Sequence, residues 1–485
     1  MSETGEQKID VNKLKVIIGL EIHCQLNTKT KLFCGCSTDY RDSEPNSHVC
    51  PICLGLPGAL PKLNRQAVIY ALKVAKALNL EIPEYSEFSR KNYFYPDLPK
   101  GYQISQYDKP VAINGILSVD DDEGHEKNIR IRRIHLEEDP GRLVHKTSRD
   151  RAGYSLVDYN RSSIPLIEIV TEPDLSSPKE ARRFLNKLRT TLEYLEVFDG
   201  EKEGSIRVDA NISLEGHNRV ECKNISSYKG VEKALTFEIT RQRNMIRRGQ
   251  EILMETRHFM EARGITQGSR SKEEENDYRY FPEPDLRPLK VSEWADDIEL
   301  PELPDARRER FMKTYGISLN HSETLTGDLK VADFYEKIAT CDPVLTATLV
   351  ADTLLGELYY RDMKITDVPP DCFKDLVVLL KDNEITDRVS VDILRMILDG
   401  IKEGKEPEMP SDMVHRLGLS KGGDDEFGDI IAKVIEANPQ AVDDFKSGNT
   451  NAVNFLVGQV MKETRGRADP KAIAPKIIKH IGDME

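Results

Sequence analysis

Two cysteine pairs set close together constrain this chain more than any other feature: Cys34-x-Cys36 and Cys50-x-x-Cys53, within LFCGCSTDY and HVCPICLGLPG. Four thiolates in two close pairs can surround one tetrahedral Zn²⁺, and the loop between the pairs is long enough to fold back on itself. Two buried thiol pairs or two disulfides are the competing arrangements, but a Cys-x-Cys disulfide closes a strained ring. Cys34, Cys36, Cys50 and Cys53 are therefore expected to form a closed, structural zinc knuckle, which fixes a loop and says little about chemistry. Cys24, Cys222, Cys341 and Cys372 are scattered, and read as small buried hydrophobes in a reducing cytosol.

A chain of 485 residues should divide into about three domains, each able to bury its own core. The first dozen residues, MSETGEQKIDVN, are polar with no apolar targeting segment, and no stretch approaches the ~20 apolar residues of a membrane span. A soluble, cytoplasmic protein with no membrane partner is expected. The net charge of −14 argues against nucleic-acid binding by the whole surface, while leaving room for a local basic patch.

KVIIGLEIHCQL, NIRIRRIHLEED, YSLVDYNRSSIPLIEIV, SIRVDANISL and RVECKNI carry short β-branched or alternating patterns and read as strands. Helices lie between them. Ser177-Pro178-Lys179-Glu180 reads as a capping box ahead of Ala181, Phe184, Leu185, Leu188 and Leu192 at helical spacing. Ala67, Tyr70, Ala71, Val74 and Leu78 mark a second helix, and Glu232 to about Gly249 a third. The pattern predicts an α+β first region around a mostly antiparallel sheet. A proline-rich connector, Phe281 to Val291, marks its end; helices without strands follow, with a second break near Gly404 to Pro410. The expected domains are 1–292, an all-α domain at 293–408 and a small all-α tail at 409–485.

Residues two apart on a strand share a face, so Glu21 projects with His23, His135 with Glu137, Asp158 with Asn160, and Arg207 with Asp209 and Asn211. Any one such pair reads as a solvated, salt-bridged surface. Several in one domain point to a concave site where carboxylates hold divalent cations and arginines hold phosphates, the combination phosphoryl transfer needs. No Walker lysine loop occurs and no GxGxxG follows a strand, so a nucleotide would bind by another architecture. The segment Arg90 to Tyr102, RKNYFYPDLPKGY, reads equally as a stiff loop lining a cleft or as aromatics packed under a surface loop.

Longer strings carry a specific resemblance: GLEIH-x-QL (Gly19 to Leu26), the cysteine loop ending CLGLPG, RKNYFYPDLPKGYQISQYDKP (Arg90 to Pro110), HLEEDPGR (His135 to Arg142), DYNRSSIPLIEIVTEPD (Asp158 to Asp174), RVDANIS (Arg207 to Ser213), ECKNISS (Glu221 to Ser227) and RSKEEENDYRYFPEPDL (Arg270 to Leu286). Nearly end to end, the chain resembles the B subunits of tRNA-dependent aspartyl/glutamyl amidotransferases. That resemblance implies a cradle-shaped catalytic domain of glutamine-synthetase-like fold, a helical domain and a small tail domain. It implies a carbon–nitrogen ligase with glutamine as amido donor. ATP phosphorylates the side-chain carboxylate of aspartyl-tRNA(Asn) or glutamyl-tRNA(Gln), and ammonia then displaces the phosphate.

Expected partners are an amidase-like A subunit that releases the ammonia with a Ser-cis-Ser-Lys apparatus, a small C subunit that wraps the other two, the misacylated tRNA, and a non-discriminating aminoacyl-tRNA synthetase. By the same resemblance Glu21 and His23, with Glu137 or Glu138, match Mg²⁺ positions, and Asp158, Glu168 and Asp209 are further candidate ligands. Arg132, Arg207 and Lys223 are candidate phosphate contacts for ATP. Lys91, Tyr93 and Lys100 match a gate on the ammonia path, and Glu137 or Glu138 could take a proton from the attacking nitrogen. In the tail, Lys462, Arg465, Arg467, Lys471, Lys476 and Lys479 would by composition alone be a solvated helix face. The resemblance makes them a surface for tRNA phosphates, contacts that position without reading sequence.

Two other readings stand beside this one. A non-catalytic, zinc-stabilised tRNA-binding subunit would leave the carboxylate faces structural. An archaeal-type E subunit shares the cradle but carries a large inserted domain for which 485 residues leave no room.

Overall fold

Strand β1 (Val16–Gln25) sets the plan of the first unit. Ile18, Leu20, Ile22 and Cys24 are buried on one side, while Glu21 and His23, of opposite parity, are only partly covered on the other. A computed structural model describes residues 10–146, 154–202, 204–271, 278–422 and 427–482. The first nine residues of the polar start, and residues 272–277 of RSKEEENDYRYF, lie outside them.

The strands that follow are β2 (Ser89–Asn92), β3 (Tyr102–Ser105), β4 (Ala112–Asp120), β5 (Glu126–Glu138), β6 (Arg142–Lys146), β7 (Tyr154–Asp158), β8 (Pro165–Thr171), β9 (Ile206–Leu214), β10 (Val220–Ile225), β11 (Glu255–Met260), β12 (Ile265–Ser271) and β13 (Phe281–Pro282). An eight-stranded sheet runs β12-β11-β10-β9-β1-β8-β5-β4, antiparallel except where β10 meets β11. Helices α1 (Arg65–Ala77), α2 (Pro178–Tyr194) and α3 (Tyr228–Arg247) contribute Val68, Leu72, Phe184, Leu188 and Leu235 to the core formed with the apolar side of the sheet. At roughly 25 cal/mol per Å² of apolar surface removed from water, this layer is the main stabilising term of the unit.

Local signals explain the helix starts. Ser177 Oγ accepts from the Glu180 amide, with Pro178 in the first turn. The Glu180 carboxylate reaches back to the Ser176 amide (2.8 Å), one residue earlier than a simple capping box predicts, and also takes Lys127 (2.9 Å). α3 begins at Tyr228, four residues before the periodicity suggests, because Ser227 caps it through the Gly230 amide.

Two stretches read as loop or connector are built into the unit instead. Arg90–Asn92 and Tyr102 are paired strand, joined as β13-β2-β3. The proline-rich Phe281 to Val291 is stitched down: Phe281 pairs with Arg90, the Leu289 amide donates to Ser86 O, and buried Glu283 takes Arg90 bidentately at 2.7 and 2.8 Å. The first compact unit runs on to Leu303.

The second unit, Pro304–Glu485, is helical among its described residues, from Pro304–Tyr315 to Pro470–Gly482. Within it, residues from Phe427 onward gather an apolar core of their own around Ile431, Leu456, Val460 and Ile477. No helix among the described residues is long and apolar enough to cross a membrane.

Candidate active site

Register across the sheet brings distant residues into rows on its polar face. One row is His135 on β5, Glu168 on β8, His23 on β1 and Arg207 on β9. The next, two residues along, is Arg133, Val170, Glu21 and Asp209. A third links Asn211 on β9, Glu221 on β10 and Thr256 on β11. Most of these residues line a cleft of about 630 Å³, whose far wall carries Lys91, Tyr107, Tyr278 and Tyr280.

His23 Nε2 lies 3.3 Å from Glu168 and 3.6 Å from Glu137, and His135 Nε2 lies 3.2 Å from Glu168. Burial works against a charged His23, but the carboxylates of Glu168 and Glu137 outweigh it and lift the imidazole to about 9. Burial likewise disfavours the Glu168 carboxylate, and the two imidazoles overcome it and hold the group well below the usual range. Glu21 moves the other way: burial and the like charges of Glu168, Glu221 and Asp209 raise it against the pull of Lys223. Such a site has excess negative charge that a cation would relieve.

Donor atoms of His23, Glu137 and Glu168 all lie within 4.8 Å of one another, a set that could hold a metal ion. Carboxylates suit Mg²⁺, and the imidazole adds affinity for Mn²⁺. Glu21, bonded by Asn211 Nδ2 (2.9 Å), and Asp209, bonded by Lys223 (3.0 Å), stand in the adjoining row. Asp158 is elsewhere. It sits on β7, paired only with β6, and accepts from the Asn46 and Asn160 amides (both 3.0 Å), bracing the cysteine loop.

Strand alternation separates Glu137 from Glu138. Glu137 faces the cleft; Glu138 points away, with Lys100 Nζ at 2.6 Å and the Ile104 amide at 2.8 Å. Gln103 links that pair to Tyr93, its Nε2 donating to Glu138 O (2.6 Å) and its Oε1 accepting from the Tyr93 hydroxyl (3.4 Å). Lys91 lies on the cleft wall, 4.7 Å from the centre of the Tyr278 ring.

Of the candidate phosphate contacts, Arg132 holds Glu172 bidentately (2.8 and 2.9 Å), Arg207 holds Asp139 (2.7 Å), and Lys223 bridges Asp209 and Glu221. A β-bulge between Ile131 and Arg133 shifts the register of β5 against β8, and both Arg132 and Arg133 line the cleft. Sequence alternation cannot anticipate this; it also passes over Glu221, Tyr107, Tyr278 and Tyr280, which only tertiary pairing brings in.

The cysteine loop lies outside the lining of the cleft. Sγ atoms of Cys34, Cys36, Cys50 and Cys53 lie within 4.8 Å of one another, with Cys50 and Cys53 at 3.8 Å. A tetrahedral zinc with bonds of about 2.3 Å needs sulfurs about 3.8 Å apart, so the set fits. A hydrogen bond from Cys34 helps lower the Cys53 thiol to about 5. The fully buried Lys31, unforeseen from sequence, aims its ammonium at Cys53 Sγ (3.7 Å) and His48 O (2.8 Å). Gly55, at φ +63°, leaves the space that the Lys100 stem fills: a Cβ there would lie 2.2 Å from Lys100 Cγ. The loop thereby braces the Lys100–Glu138 pair.

In the second unit Lys462, Arg465, Lys471 and Lys479 are exposed. Arg467 is engaged inside, donating to Ser420 O (2.9 Å) against the Phe427 ring, and Lys476 is half-buried.

The GatB/GatE catalytic domain family matches residues 16–296, and the GatB domain family residues 333–481. The B subunit of the aspartyl/glutamyl-tRNA(Asn/Gln) amidotransferase of Methanospirillum hungatei JF-1 is 66% identical over 94% of this chain and 96% of its own length. Proteins of the same name from Methanoregula boonei and Haloquadratum walsbyi are 62% and 51% identical, over 96% and 97% of this chain and 98% and 97% of theirs.

Proposed function

The chain belongs to the family of aspartyl/glutamyl-tRNA amidotransferase B subunits, and on that premise we propose that its acid-lined cleft activates the side-chain carboxylate of aspartyl-tRNA(Asn), glutamyl-tRNA(Gln) or both for amidation. The observation that carries this is the His23–Glu137–Glu168 cluster beside Glu21, Asp209 and Glu221 on one polar sheet face. A purely scaffolding role leaves that gathering of like charge without a purpose. The reading takes the first unit as a glutamine-synthetase-like cradle in a cytoplasmic carbon–nitrogen ligase, partnered by an amidase-like A subunit and a small C subunit, with a non-discriminating synthetase supplying the misacylated tRNA.

A carboxylate oxygen of the substrate attacks the terminal phosphorus of ATP, and the new O–P bond forms as ADP leaves. Ammonia then attacks the acyl carbon; the C–N bond forms, the C–O bond breaks, and phosphate departs. Glu137, facing the cleft, accepts the proton of the attacking nitrogen. His23, Glu137 and Glu168, with Glu21 and Asp209 adjoining, would hold a divalent ion, which would supply charge neutralisation at the phosphates. Lys91, Tyr93 and Lys100 line the route by which ammonia arrives, with Glu138 anchoring Lys100. Zinc held by Cys34, Cys36, Cys50 and Cys53 would be structural, since four thiolates leave no open position for chemistry. Amide formation by the purified chain with its partners, dependent on ATP and misacylated tRNA, tests the function; tRNA binding with no such activity would leave only the non-catalytic reading.

Divalent-ion binding should be pH-linked. Without the ion His23 is protonated up to about pH 9, and that proton must leave before Nε2 can coordinate. Between pH 6.5 and 8.5 affinity for Mn²⁺ should rise by about tenfold per unit, with about one proton released per ion in calorimetry across buffers. The sign for folding is opposite: the raised His23 stabilises the metal-free protein fully below pH 6.5 and ceases to as pH passes about 9. A flat affinity profile would remove His23 from the ligand set.

The tRNA docks on the end of the second unit, through the four exposed cations Lys462, Arg465, Lys471 and Lys479. Changing all four to glutamine should weaken tRNA binding and reduce its log–log salt slope by roughly one unit for each phosphate no longer neutralised, about four in all. Their separate core around Leu456 leaves the variant folded. Unchanged affinity and slope would move the tRNA surface elsewhere.

A further inference from the structure

The cations of the cleft are not equivalent. Of those that line it, Arg132 and Lys223 each already hold a carboxylate, Lys91 lies against the Tyr278 ring and Arg219 is exposed. Arg133, on the cleft face with His135 and Glu137 by strand alternation, makes no side-chain hydrogen bond or ion pair among the described residues, and its Nε is buried without an acceptor. Its surroundings explain the isolation. Its register partners on either side are Ile113 and Val170, and Glu21 stands one strand beyond Val170, about 10 Å away at two strand spacings. Glu168, two residues along β8 from Val170, is taken by His23 and His135. A half-buried guanidinium with an orphaned donor stabilises nothing by itself. It is set for an anion that comes and goes.

Resting on the reading of this cleft as the site of carboxylate activation, we propose that Arg133 grips the oxygens of the transferring phosphoryl group. The row of His135, Glu168 and His23 lies two residues along the strands from Arg133, about 7 Å, so a phosphoryl group bound at the acidic cluster comes within reach of its fork. The other anion in the reaction is the substrate carboxylate. A guanidinium on that group would hold back the nucleophile's electrons, whereas one on the phosphoryl oxygens stabilises charge as transfer proceeds. Chemistry therefore favours the phosphate.

The test uses the assembled complex carrying Arg133→Gln or Arg133→Lys, checked for assembly and melting temperature, with Mg²⁺ present. Affinity for a β,γ-imido ATP analogue should fall about 10- to 100-fold in Arg133→Gln, while affinity for ADP, which lacks the transferring group, stays within about threefold. The rate of amide formation should fall about 10³-fold and the KM for misacylated tRNA stay unchanged, with Arg133→Lys recovering part of the rate as a point charge without the fork. Equal losses for ADP and analogue would put Arg133 on the inner phosphates, a change confined to the KM for aminoacyl-tRNA would put it on the substrate carboxylate, and no change would give it no role; each overturns the assignment of Arg133 alone. Analogue binding that is also untouched by Glu168→Gln would overturn it together with the reading of the cleft.

Discussion

Replacing His23 by alanine, or Glu168 by glutamine, should lower ATP-dependent amide formation by at least about 10³-fold in a complex that still assembles, since phosphoryl transfer without a fixed divalent ion and its charge neutralisation loses most of its transition-state stabilisation. The two substitutions act on one cluster: Glu168 is held ionised by His23 and His135, and His23 is held protonated by Glu168 and Glu137 until an ion takes its place. Glu168→Gln leaves volume almost unchanged and removes the negative charge set between His23 and His135, so its effect reports mainly charge. Their losses should not add, because either change alone empties the same position. A Glu168→Gln rate within tenfold of the parent protein would show that the cluster is scaffolding.

Loss of the zinc knuckle should act on folding more than on chemistry. Cys53→Ser is expected to abolish binding of the single zinc equivalent and to lower the melting temperature by more than about 10 °C, because structural zinc contributes folding free energy directly. The consequence spreads along named neighbours. Lys31 would lose its sulfur partner, His48 and Asn160 (2.7 Å) would lose their support, and the Lys100 stem would lose its seat on Gly55. Protein that survives purification should retain much of its specific activity, since no cysteine faces the cleft among the described residues. Metal analysis that finds no zinc, with an unshifted melting curve in Cys53→Ser, would contradict the assignment.

Much of the site was legible because strand alternation is a strong signal. Glu21 with His23 and His135 with Glu137 share a face in the sequence and in the sheet. What alternation cannot supply is register. Glu168 reads as one acid in an apolar strand until pairing sets it between His23 and His135. Asp158 obeys the same alternation as the others, yet its strand pairs only with β6 and never joins the large sheet. The two-residue period itself fails at the β5 bulge, where adjacent Arg132 and Arg133 both reach the cleft although only Arg133 keeps step with His135 and Glu137. The family resemblance leaves Glu137 and Glu138 interchangeable as ligands, and the pleat separates them. Lys31 gives no signal at all, since a lysine's burial depends on sulfur and carbonyl partners far along the chain.

If the carboxylate is activated as an acyl phosphate in this cleft, the oxygen atoms record it. With misacylated tRNA labelled by ¹⁸O in the side-chain carboxylate, the assembled complex should release one labelled oxygen in inorganic phosphate for every amide formed, and the Glu168→Gln complex should release almost none. Label recovered in AMP would rule out an acyl phosphate, and label transferred to phosphate undiminished by Glu168→Gln would rule out this cleft as its site.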